Sequence, residues 1–133
     1  MRHLGGLGVV LLLGVSASAG AHHSFTAVYD LKQAVTVKGT IVQVRLTNPH
    51  SWFYIDVKNA AGGIDHWAFE AGTPSGMIRN GYKASVIKQG DEVTVTAFHA
   101  KDPAQNMGML RELTTADGTV FGLFGPQQAP SVQ

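Results

Sequence analysis

Two histidines stand side by side at His22-His23, and a third, His50, follows an Asn-Pro pair. None of them sits in an H-E-x-x-H or H-x-H spacing, so any site they share must be assembled by the fold. The chemistry they suggest depends on a free amine beside imidazole. If the chain is cut before His22, the new amine and a ring nitrogen of the same residue can chelate one ion, and His23 or His50 can add further imidazole. Nitrogen donors in a tetragonal arrangement put copper at the top of the affinity order. Glu70 is the candidate outer partner of such a site, since ligating imidazoles usually give their other N–H to a carboxylate. The alternative is a terminus that is frayed and solvated.

The residues upstream supply the reason to expect a cut. Met1-Arg2-His3 is a short positive start, Leu4 to Val15 is apolar, and Ser16 to Ala21 is rich in small residues. That is the layout of a secretory signal peptide over residues 1–21, with an apolar run too short to span a bilayer. Two overlapping A-x-A sites permit cleavage after Ala21 or after Ala19. The second would leave Gly20-Ala21-His22, where a histidine in third position suits square-planar copper(II) or nickel(II). The expected location is periplasmic or secreted, with no membrane attachment after cleavage.

Bulk properties narrow the classes further. The chain has 133 residues with ten basic and nine acidic side chains, and loss of Arg2 with the leader would balance them. No polybasic surface points to nucleic acid. Cysteine is absent, which excludes thiolate zinc sites, iron–sulfur clusters and cysteine nucleophiles. No G-x-S-x-G elbow, P-loop or dinucleotide fingerprint occurs. A paired-carboxylate cleft of the glycosidase kind is not identifiable either.

The elements must then position the histidines. Phe25 to Gln33 reads as a leader segment and the first strand as starting at Ala34, with a bend at Gly39, where the apolar phase shifts. Thr47-Asn48-Pro49-His50 is a turn. Ser51–Lys58 and Ile64–Ala71 read as strands joined by a five-residue, glycine-containing loop. Thr73 as N-cap and Pro74 at the first position open a short helix reaching roughly Lys83, with Met77, Ile78, Tyr82 and Val86 as its buried contacts. Glu92–Ala100, Leu110–Thr115 and Thr119–Phe124 are further strands, the last two around Asp117-Gly118. Residues 126–133 lack apolar periodicity and read as a disordered tail. Residues 22–125 therefore form one all-β domain with one short helix, an OB-fold-like five-stranded barrel. The alternative is an open α+β sheet.

Strand parity groups the chemistry. Phe53, Ile55 and Val57 point to the core, while His50, Trp52, Tyr54 and Asp56 share the other face. Trp67 and Phe69 point inward, and His66, Ala68 and Glu70 outward. A hairpin across the loop puts Trp52 opposite Glu70, Tyr54 opposite Ala68 and Asp56 opposite His66, with His50 diagonal to Glu70. If Phe25 packs on this sheet, His22 and His23 come near His50. His66 with Asp56 reads as a surface pair and His99 as a solvated strand end. Met107 and Met109 have thioethers suited to copper(I) but read as apolar filling.

The segments His22-His23-Ser24-Phe25, Val37-x-Gly39-x-Ile41/Val42, Thr47-Asn48-Pro49-His50, Trp67-x-Phe69-Glu70, Gly90-Asp91-x-Val93-Thr94-Val95 and Ala100-Lys101-Asp102 resemble a family of small exported bacterial proteins of unknown function. The resemblance spans nearly all of residues 22–124. It implies cleavage directly before His22 and no particular activity. The departure is Asp102-Pro103-Ala104-Gln105, where similar proteins carry a glycine-containing turn.

Two functional expectations lead, both acting by binding rather than turnover, ahead of a third, an enzyme using an N-terminal copper centre, for which no substrate groove is recognisable. One is metal binding, with copper favoured by the affinity order above, through His22, His23 and His50. The other is a small-ligand or periplasmic-protein module that uses Trp52, Tyr54 and Glu70 without an ion.

Overall fold

The computed structural model describes residues 25–122, so the expected signal peptide, His22, His23 and the expected tail lie outside the described residues. A single helical turn, α1 (Phe25–Val28), runs directly into β1 (Tyr29–Arg45). Then follow β2 (Trp52–Lys58), β3 (Ile64–Glu70), helix α2 (Pro74–Arg79), β4 (Glu92–Ala100), β5 (Met107–Thr115) and β6 (Val120–Gly122). The strand order is β3-β2-β1-β4-β5-β6, and β3 also pairs in parallel with β5. The strands β1, β2, β3, β5 and β4 thus form a ring, with the helix between β3 and β4, as an OB-like topology requires. The β3–β5 contact covers only Ala68–Glu70 with Met107–Met109, and the sheet stays open beyond it.

The ring depends on β1 serving two neighbours. Its first part pairs with β4 and its second with β2, and Thr40 meets both Glu92 and Asp56. Gly39 is needed at this crossing for close approach: a Cβ there would meet the Asp56 carbonyl oxygen at 2.3 Å. The irregularity expected at Gly39 falls instead between Ile41 and Gln43. The phase change was real, but the extra residue sits just downstream, where β1 leaves β4 for β2.

Side chains inside the ring alternate as period two demands. Ile41, Phe53, Ile55, Phe69, Val93, Val95, Leu110 and Leu113 are buried in one core cluster with Met77, Tyr82 and Ile87 from the helical segment. Full burial of each large apolar side chain contributes about 1.5–3 kcal/mol. The Thr73 hydroxyl accepts from the Gly76 N–H at 3.1 Å, capping α2 as expected. The helix ends at Arg79 rather than near Lys83, because Gly81 adopts a positive φ of 96°. That early stop leaves Ile78 and Val86 exposed and gives their expected place to Ile87.

Three further expectations are corrected. The strand begins at Tyr29, not Ala34: the six residues from Tyr29 to Ala34 face only the three from Ala100 to Phe98, and this excursion hid the alternation. β5 begins at Met107 rather than Leu110. His99 is no solvated end but is buried, with its ring edge-on to Trp67 at 5.6 Å and its Nδ1 donating to the Ala100 carbonyl at 2.7 Å. It sits opposite Gly108, which presents no side chain. The glycine-free turn after β4 is built by Asp102, whose carboxylate accepts from the Ala104 N–H and the Gln105 amide.

Candidate functional site

The β2–β3 hairpin fixes the site. Asn59 builds the five-residue loop by accepting from the Ala61 and Gly63 N–H groups, so the register is Trp52 to Glu70, Tyr54 to Ala68 and Asp56 to His66. Ser51 prolongs this ladder through bonds with Gly72 and Ala71. His50 is thereby held one residue beyond the prolonged ladder and two before Trp52, on the face of Trp52 and Glu70.

His50 and Glu70 meet there. The His50 Nδ1 lies 2.5 Å from Glu70 Oε1, and the Tyr29 hydroxyl donates to Glu70 Oε2, also at 2.5 Å. As a carboxylate Glu70 only accepts, so both neighbours must donate to it. This puts a proton on Nδ1, so that in the neutral imidazole Nε2 is the lone-pair nitrogen. Nε2 has no hydrogen-bond partner among the described residues. The His50 side chain keeps 28% of its surface exposed, and Glu70 16%.

Tyr29 is the member that sequence reasoning missed. Its ring is buried, and its phenol is pushed well above its ordinary range, first by burial and then by the hydrogen bond and charge of Glu70. It therefore stays a donor. Tyr29, Ala100 and Met109 are buried yet fall outside the main core cluster. Met109 stands beside Glu70 in the β3–β5 register and beside Phe98 in β4. The first described residues, Phe25 to Tyr29, thus form a strap over the outside of the ring, tied by the bond from the Lys101 N–H to the Val28 carbonyl at 2.9 Å. Phe25 completes it, with its ring 5.1 Å from His50 and 6.5 Å from Tyr29.

The expected site residues therefore divide. His50, Trp52 and Glu70 gather at one end of the hairpin beneath the strap. Tyr54 lies further along, lining a shallow groove with Val42, Gln43, Asp56, His66 and Ala68. His66 makes the expected exposed pair with Asp56 at 2.6 Å. No three His, Cys, Asp or Glu side chains among the described residues are gathered to hold a metal. An ion at His50 would need donors from beyond them. The condition set for His22 and His23, that Phe25 pack against this face, is met; the two histidines themselves lie outside the described residues.

A protein family described as "Family of unknown function (DUF6152)" matches residues 10–109. No curated protein and no solved structure matches the chain.

Proposed function

The chain belongs to this family of unknown function, and on that premise we propose that it is an exported metal-binding protein, with copper as the favoured ion. His22 would supply amine and ring nitrogens after cleavage before it, His50 would supply Nε2, and His23 a further imidazole. The supporting observation is the His50–Glu70 contact at 2.5 Å beneath Phe25. A carboxylate on one ring nitrogen raises the basicity of the other and holds the ring still, which is the arrangement metal-ligating histidines use. Phe25 is two residues from His23 and three from His22. At about 3.3–3.6 Å per residue, that spacing would allow either imidazole to reach toward His50. Nitrogen-rich, thiol-free donors support copper over softer or harder alternatives.

A second reading starts from the groove beside Tyr54: Tyr54, with Trp52 and Glu70 further along the hairpin, would serve a small ligand or a periplasmic protein with no ion involved. Calorimetric titration of the untagged chain beginning at His22 with copper(II) separates the two. Metal binding predicts one ion per chain and about 2.7 kcal/mol of added stability at a hundredfold excess over Kd. His50→Ala, or a residue added before His22, should abolish most of that gain. A titration without heat or thermal shift on the authentic chain would leave the aromatic module as the better account.

A further inference from the structure

We infer that a second copy of this chain adds to the open edge of β1, over Ala34 to Lys38, and forms a two-fold dimer. The inference is independent of what the site at His50 binds. β1 pairs with β4 from Ala34 to Thr40, but with β2 only from Thr40 onward. Among the described residues no strand lies opposite Ala34 to Lys38 on the second side. Which groups are left there follows from Ile41, whose N–H and carbonyl both bond to the segment leading into β4, at Asp91 and Gly90. Backbone groups alternate in direction along a strand, so Val35 and Val37 also turn theirs to β4, while Ala34, Thr36 and Lys38 turn theirs outward. The Thr36 and Thr96 hydroxyls, 3.3 Å apart, agree with this, because side chains come closest at pairs that exchange no backbone bonds. Val35 and Val37 pack on the core but are only partly buried, so the apolar side of the same edge is also incomplete.

The edge is complementary to itself. Antiparallel pairing about a two-fold axis at Thr36 sets Thr36 against its own copy, Ala34 against Lys38, and Val35 against Val37. The outward-turned residues then exchange backbone bonds, the valines carry the apolar layer across the axis, and no like charges face each other. The pairing stops where the chain requires it to: at Thr40 β2 takes over the edge, and upstream of Ala34 the extra residues of the excursion leave the ladder. The other open edge, along the first half of β3, fails the same test. The Ala68 N–H bonds to the Asn106 carbonyl on the side away from β2, so His66 and Ile64 turn their backbone groups that way too. Pairing those two with a second copy sets Asp65 against its own copy, a like-charge contact. A register centred on His66 is blocked, because Ala68 already pairs with Met107.

Ala34 and Lys38 are both exposed, so they test the register without touching the core. Sedimentation equilibrium of the untagged chain should show a concentration-dependent dimer. In low salt, Ala34→Lys, which faces Lys38 of the second copy, should weaken that dimer several-fold, and Ala34→Glu should tighten it several-fold. Thr36→Pro removes an N–H that the β4 ladder does not use and should abolish the dimer. The chain has no cysteine of its own. In Thr36→Cys a short thiol-specific cross-linker should therefore join two copies at the axis, whereas His66→Cys should stay unlinked. Each variant's melting temperature, taken at a dilution that leaves only monomer, is the control for folding. Should Thr36→Pro fail to fold, the opposed Ala34 variants decide. A parent chain that stays monomeric at its highest soluble concentration overturns the inference. So does a dimer indifferent to both Ala34 variants, or one that links through His66→Cys instead of Thr36→Cys.

Discussion

At the scale of residues, the site turns on how one carboxylate is shared. Glu70 is opposite Trp52 by register, diagonal to His50 by the turn, and reached by Tyr29 from a distant part of the chain. Parity alone placed the first three on one face, because alternation along two short strands joined by a five-residue loop leaves one register open. Tyr29 was illegible because its pairing with Ala100 is separated from the rest of β1 by residues with no partner opposite. His99 was misread for a related reason: its burial comes from Trp67 on another strand. Phe25 gives the residue-scale prediction. Phe25→Ala removes the ring against His50 but none of the hydrogen bonds around Glu70. Copper affinity should drop several-fold in calorimetry, while the apo chain's urea midpoint moves by less than for a core substitution such as Phe69→Ala, for which about 3–5 kcal/mol is expected.

Elements carry the next level of explanation. The β5–β6 hairpin is closed by Asp117, which accepts from the Thr115 hydroxyl at 2.5 Å and the Thr119 N–H at 3.0 Å, ahead of Gly118 at a φ of 87°. Those bonds, the Thr115 hydroxyl foremost, hold the Asp117 carboxyl below the usual carboxylate range. A folded-state value below the unfolded one means the contribution is present above the unfolded value and is lost as pH falls through the folded one. Asp117→Asn should therefore lower the urea midpoint at neutral pH, and the gap between variant and parent should narrow as the solution is taken from about pH 5 toward about pH 2. The turn itself was readable from Asp117-Gly118, as was the Thr73-Pro74 helix start. Where α2 stops was not, since whether Ile78 or Ile87 is buried depends on which side of the helix the ring's interior lies.

For the whole molecule, ring formation and the strap are the consequential features. β1 passes from β4 to β2 at Gly39, and the backbones approach too closely there for any side chain. Gly39→Ala should force β1 away from β2 and lower stability by about 1–3 kcal/mol in urea unfolding. Because the β2–β3 hairpin hangs from that part of β1, hydrogen exchange should quicken first in β2 and β3. The strap adds a second layer outside the ring, where Tyr29 and Met109 are each buried although neither belongs to the central core. Among the described residues no helix is long and apolar enough to cross a membrane.

The amino-acid order by itself determined what local physics controls: the alternation of β2, β3 and β4, the hairpin register, the capped helix start, and the face shared by His50, Trp52 and Glu70. These follow from period, turn chemistry and loop length, all readable within a few residues. Tertiary structure alone decided that Tyr29 reaches Glu70, that Phe25 covers His50, and that His99 is buried against Trp67. Each of those joins residues at least 25 positions apart in sequence, and it takes the pairing of distant strands into one ring to put them in contact.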